Sequence, residues 1–207
     1  MNKLITSVFL LGCSLGWACA NEMAPTTTGD NSSETAALGV SSVPDDFPTI
    51  QAAIDASNGG VITVAAGVYQ EDISLKSGVV LQGAGQLATT IYGTVTGMGV
   101  SGAGVQDLTL NGGLSGAGST GVYLENSSFS LLRIAVKSYD KGIEVFNEGG
   151  GGSESTIDSV SVSSSAQDGI VVTGAVKLAI QNSVVSYAGH DGIKALYGDQ
   201  PSQNLII

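Results

Sequence analysis

The segments QDGI (residues 167–170) and HDGI (190–193) repeat an Asp-Gly-Ile order 23 residues apart, and DKGI (140–143) is a third version. Working outward, Gly followed by Val or Ile occurs at Gly78, Gly99, Gly121, Gly142, Gly169 and Gly192, at intervals of 21, 22, 21, 27 and 23. Aligned on that glycine, the next residue is Val79, Val100, Val122, Ile143, Ile170 or Ile193. Two further on stand Leu81, Gly102, Leu124, Val145, Val172 and Ala195, and between them Val80, Ser101, Tyr123, Glu144, Val171 and Lys194. Two mainly apolar columns around a mixed one are the period-two pattern of a strand with one buried face. Five residues after the glycine come Gly83, Gly104, Asn126, Asn147 and Gly174. Gly and Asn tolerate a left-handed backbone, so this column predicts a fixed corner. A second strand is expected at LTL (108–110), IAV (134–136), VSV (160–162) and LAI (178–180), and the Gly-rich loop NEGGGGSES (147–155) accounts for the long interval. A period in the low twenties predicts a solenoid of parallel strands stacked about 4.8 Å apart, with aliphatic ladders in its bore.

Composition agrees. The 207-residue chain holds 30 Gly and 4 Pro, with 5% aromatic and 12% charged residues, the last about half the usual share. Short strands and tight turns fit this mix better than a helical bundle or a disordered chain. A net charge of −11 argues against nucleic acid and anionic membrane surfaces as partners.

Residues 1–20 read as an export signal. Lys3 supplies the positive start, Leu4 to Gly12 the apolar stretch, and ACA (18–20) the small-x-small site for cleavage before Asn21. LLGC (10–13) also resembles a lipobox with Cys13 as the lipidated residue, and Cys19 is a second candidate. Secretion and lipid anchoring at the cell surface both stay open. Nothing else in the sequence is long and apolar enough to span a bilayer as a helix. The folded part has no cysteine, hence no disulfide. Residues 21–45, polar and rich in Ser and Thr, predict a flexible linker.

The domain is expected over 46–207. It opens with DFPTIQAAIDASNGG (46–60), read as a short helix with Thr49 as N-cap, Ile50, Ala53, Ile54 and Ser57 on one face, and Gly59-Gly60 as its stop. Ile62, Val64, Gly67, Tyr69 and Glu71 follow as a first rung, then Leu81, Gly83, Gly85, Thr89 or Thr90, and Ile91 as a second. This run resembles the N-terminal part of the pectin-lyase-like superfamily, with rungs like those of pectinesterases. The resemblance implies an all-β, right-handed parallel β-helix with a short N-terminal capping helix. It also implies polysaccharide as substrate or ligand, held in a groove along the outer face of a sheet, with Asp clusters as acids or calcium ligands and Arg or Lys as base. Pectinesterase activity is not implied, because SYDKG (138–142) only superficially echoes one catalytic motif and the other is absent.

The best site candidates form the column before the repeated glycine: Ser77, Met98, Thr120, Lys141, Asp168 and Asp191. Asp168 and Asp191 on adjacent rungs would stand roughly 5 Å apart if they project alike. Such a pair could serve as general acid and base or begin a calcium site, although Asp before Gly is also ordinary turn chemistry. Catalytic candidates are therefore Asp168, Asp191 and Lys141. Binding candidates are Tyr123, Asp140, Glu144, His190 and Lys194. No cofactor is required; the metal, if any, is left open, and calcium is one the pattern allows. Arg133, the only arginine, is expected to point outward from a strand. The first functional expectation is an exported polysaccharide-binding domain. The alternatives are a lyase or hydrolase acting on pectin-like or alginate-like polymers, and a structural or adhesive surface protein. NLII (204–207) reads as a strand with nothing stacked beyond it, so the chain is expected to be incomplete there or to have that end covered by something else, and to be a monomer unless a partner covers it.

Overall fold

The computed structural model describes residues 40–113, 118–148, 154–174, 176–196 and 205–206. The signal, Cys13, Cys19 and residues 21–39 of the expected linker lie outside them. Val40–Val43, inside the stretch read as linker, form a strand instead. It pairs in parallel with Gly60–Val64, and Val43 is buried at 1% exposure. Parallel pairing at four positions and the burial of Val43 hold the segment on the coil.

The chain winds through three parallel sheets of eight, six and six strands. We call them sheets I, II and III in the order the chain meets them. One turn runs Ala103–Gln106 (I), Thr109–Asn111 (II) and Thr120–Glu125 (III); the next repeats it with Phe129–Leu132, Ala135–Lys137 and Lys141–Asn147. The fold is thus a parallel β-helix, with three strands per turn rather than the two expected. LTL, IAV and VSV belong to sheet II, whereas LAI belongs to sheet I.

The aliphatic ladder is present but differs at its start. Its file in sheet III is Ile73, Val95, Val122, Ile143, Ile170 and Ile193. Val79 stacks in sheet I against Gly60, and Val100 lies outside any strand. Gly78 and Gly99 are genuine turn residues at φ +72° and +64°. Gly121, Gly142 and Gly169 do not have positive φ and serve a different purpose. A Cβ on Gly142 would stand 2.3 Å from Val162 Cγ1 and 2.5 Å from the Gly169 carbonyl oxygen. These glycines are required by close packing between sheets.

The left-handed corner also moves. Asn126 and Gly174 have positive φ as expected; Gly83, Gly104 and Asn147 do not. Between sheets I and II a regular corner stands at Asp107, Arg133, Ser159 and Asn182, with φ of 57°, 49°, 57° and 51°. After the first three of these the chain dips inward to Leu108, Ile134 and Val160, all at or below 2% exposure. Between sheets II and III, Ser138, Ser164 and Tyr187 repeat the device.

The helix, Ile50–Ala56, covers the first turn and buries Ile50, Ala53 and Ile54 completely. The Thr49 hydroxyl accepts from the Ala52 N–H at 3.1 Å. Glu71, one turn on, accepts from the Ile50 and Gln51 N–H groups at 3.0 Å each, which suits a carboxylate at a helix N-terminus. Ser57 is the C-cap rather than part of the buried face. Thr89, not Thr90, is the buried threonine of the second rung: its hydroxyl donates to the Ala65 carbonyl and accepts from the Ala84 N–H. At the other end, Ile193 is only partly buried and Ala195 is exposed.

Candidate functional site

The sequence candidates gather at the corner between sheets II and III and on the outer face of sheet III. Register along that face puts Thr96, Tyr123, Glu144, Val171 and Lys194 in one file. A second file, two residues on, holds Met98, Glu125, Phe146, Thr173 and Leu196. Glu125 and Phe146 had not been singled out from the sequence. Their signal was available, since outward positions recur every second residue after Tyr123 and Glu144.

The column before the glycine holds for Thr120, Lys141, Asp168 and Asp191. Lys141 pairs with Thr120, while the Gly142 and Gly169 N–H groups donate to the Asp168 and Asp191 carbonyls one turn up. It fails for the other two. Ser77 lies at the corner leading to sheet I, where its hydroxyl accepts from the Ser101 N–H. Met98 sits on the outer face opposite Glu125.

Asp168 and Asp191 do not project alike. The Asp168 side chain is 7% exposed and that of Asp191 58%. Asp168 Oδ1 accepts from the Asp191 backbone N–H at 3.1 Å, and its Oδ2 lies 3.4 Å from Lys194 Nζ. The same ammonium lies 3.5 Å from Asp191 Oδ2. Burial raises the Asp168 pKa, but the Asp191 N–H, Lys194 and His190 outweigh it, and the net shift is downward. Lys194 is raised, first by its hydrogen bond to Asp168 and then by that carboxylate's charge. A lowered Asp168 pKa weighs against a general-acid role for that carboxylate.

Lys141 forms a separate pair with Glu144 at 2.8 Å. Asp140 Oδ2 accepts from the Gly118 N–H. His190 is exposed, and its backbone N–H donates to the Gln167 carbonyl. The Tyr123 hydroxyl donates to Glu125 Oε2 at 2.8 Å. Its pKa is pushed up to about 12 by burial, then by Glu125 and the charges of Glu144 and Glu148. Among the described residues no group of three or more His, Cys, Asp or Glu is placed to hold a metal ion.

Arg133 is not a strand residue. It occupies the left-handed corner between sheets I and II, with Nε and Nη2 donating to the two carboxylate oxygens of Asp107 at 2.7 and 2.8 Å. A depression of about 650 Å³ opens there beside Gly85 and Leu87. Another, about 400 Å³, lies on sheet I over Val80, Gly104, Ser130 and Thr156. Neither includes a residue predicted as catalytic or binding. On the sheet III face Val171 is buried at 3% exposure, while Tyr123, Glu125, Glu144 and Phe146 are partly exposed.

No family model matches the chain, and neither does any curated protein. Solved structures similar to it include the A-modules of two mannuronan C-5 epimerases of Azotobacter vinelandii. The AlgE4 module is 22% identical with a TM-score of 0.46, over 75% of this chain and 56% of that one. The AlgE6 module is 20% identical with a TM-score of 0.49, over 75% and 55%. ORF18 of Geobacillus virus E2 is 15% identical with a TM-score of 0.37, over 84% and 45%. The matched region spans about half of each of these chains. At such identities and scores no residue role is carried across, and the parallel β-helix is established by the strand pairing of this chain itself.

Proposed function

We propose that this is an exported β-helix domain that binds extracellular polysaccharide along the outer face of sheet III. The observation that carries the reading is the pair of parallel files on that face. Tyr123 and Phe146 offer rings, Glu125 and Glu144 offer acceptors, and Thr96 and Thr173 offer hydroxyls, all in register along the coil axis. Four rungs, separated by three steps of about 4.8 Å, make a strip of roughly 15 Å, long enough for a short run of sugars. A row of rings and polar groups repeated along the coil axis suits a polymer lying across it better than a small molecule needing an enclosed pocket.

Export rests on Lys3, the apolar run from Leu4 and the ACA site. Among the described residues no helix is long and apolar enough to cross a membrane. Mass spectrometry of the protein recovered from expressing cells separates a chain starting at Asn21 from one acylated at Cys13 or Cys19.

Affinity electrophoresis through gels containing defined polysaccharides tests the binding. Retardation that weakens in a Tyr123→Ala, Phe146→Ala double variant supports it. Unretarded migration through every polymer defeats it and leaves the structural or adhesive alternative.

A further inference from the structure

Among the described residues the lysines on the proposed face are all engaged within the protein. Lys141 is tied to Glu144 at 2.8 Å. Lys194 lies 3.4 and 3.5 Å from two carboxylates, those of Asp168 and Asp191. Lys76, two residues past the sheet's first strand (Ile73–Ser74), donates to the Asp55 and Ser57 carbonyls at 3.0 and 2.7 Å. Arg133 lies at a different corner and is bound in bidentate fashion by Asp107.

Carboxylates outnumber these lysines. Glu125 and Glu144 stand on the face, Glu148 and Asp140 at strand ends, and Asp168 and Asp191 at the adjoining corner. With Asp72 just ahead of the first strand, seven carboxylates against Lys76, Lys141, Lys194 and the exposed Lys137 at the end of the adjoining sheet II strand leave an excess of three negative charges on and beside the strip, on a chain whose net charge is −11. Between the charged pairs the strip is apolar or neutral: Met98 is 67% exposed, Leu196 46%, and Phe146 and Thr173 are partly exposed.

We infer that the sheet III face, on the polysaccharide reading above, selects an uncharged polysaccharide and turns polyuronates away. A polyuronate brings one carboxylate per sugar and is held by free cations or by a bridging metal. Among the described residues this face has no unengaged cation to offer. An uncharged sugar asks for something else. Its C–H face packs on rings such as Phe146 and Tyr123, and its hydroxyls donate to carboxylates such as Glu125 and Glu144. Fixed negative charge repels an acidic chain within a Debye length of about 8 Å at physiological salt and leaves a neutral one unaffected.

The test compares migration of the full chain in gels containing an uncharged galactomannan or glucan with migration in pectate and alginate, each with and without calcium. Retardation by an uncharged polymer and none by either polyuronate is the expected result. Equal or stronger retardation by pectate or alginate, in either calcium condition, overturns the selectivity while leaving the binding reading intact. Absence of retardation in every gel defeats both. A gain-of-function arm adds a second readout. Glu144→Gln frees the Lys141 ammonium and should raise pectate affinity roughly two- to five-fold, about the worth of one exposed ion pair. A folded Glu144→Gln variant, judged by an unchanged melting temperature, that gains no pectate affinity counts against the inference.

Discussion

Arg133 and Asp107 are consecutive members of one corner file, and each has the left-handed backbone that only a minority of non-glycine residues adopt. Their bidentate pair, at 2.7 and 2.8 Å, fastens one turn to the turn before it. The hydrogen bond to Arg133 is the main cause of the lowered Asp107 pKa. Asp158, bonded to Asn182 and Ser159, and Asp168 are also lowered.

A carboxylate with a depressed folded-state pKa contributes stability above its unfolded value, about 3.9, and loses it as pH falls through the folded one. Melting temperature should therefore drop as the solution is acidified below about pH 4. Asp107→Asn, which keeps a residue tolerant of positive φ, should lower the melting temperature at neutral pH and flatten the acid slope. Lys194, raised by Asp168, acts in the opposite sense: its contribution is present below its unfolded pKa and fades at strongly alkaline pH.

Gly142→Ala and Gly192→Ala alter the same sequence motif with different consequences. The first places a methyl 2.3 Å from Val162 Cγ1 and should cost about 1–3 kcal/mol or prevent folding. The second meets nothing nearer than Val185 Cγ1 at 3.9 Å and should fall within about 0.5 kcal/mol of the parent. Urea unfolding of both variants measures the contrast.

Tyr139 lies behind the candidate face at 2% exposure, and its hydroxyl donates to the Gly93 carbonyl. Burial pushes its pKa well up. Its ring fills the space beside Gly112, where a Cβ would stand 2.6 Å from Tyr139 Cδ1. Tyr139→Phe should cost about 1 kcal/mol by leaving that carbonyl without its donor. Gly112→Ala should cost more, and thermal unfolding ranks the two.

Ile170→Ala removes an interior member of the sheet III ladder, where exposure is 0%, and should cost about 2–5 kcal/mol. Ile193→Ala, at a partly exposed position, should cost distinctly less. Equal losses would mean that the last ladder position is as well packed as the interior.

On the binding reading, Phe146→Ala and Tyr123→Ala should each weaken polysaccharide affinity roughly two- to ten-fold, the range for losing an aromatic contact worth about 0.5–1.5 kcal/mol. Arg133→Ala, at another corner, should leave it unchanged. Quantitative affinity electrophoresis supplies the comparison.

The coil was legible because Val122, Ile143, Ile170 and Ile193 are chemically alike and each follows a glycine. Ile73 and Val95 complete the file, but Asp72 and Thr94 precede them, so the alignment took Val79 and Val100 instead. The corner between sheets I and II was invisible for a different reason. Asp, Arg, Ser and Asn occupy it in turn, and what they share is a backbone angle rather than a side chain. At the candidate site, spacing placed Asp168 and Asp191 on adjacent turns. It could not show that one is buried and the other exposed, because that depends on which way each side chain leaves its corner.

The strand-to-strand hydrogen bonds run lengthwise, from each turn to the one after it, so the winding has an easy and a hard direction under load. Tension between its two ends would strip turns away successively, each releasing between 21 and 27 residues, the spacing of the Val122, Ile143, Ile170 and Ile193 file. Traction across the barrel would have to shear several ladders at once. A coil built this way yields gradually when stretched along its length and resists when pulled from the side.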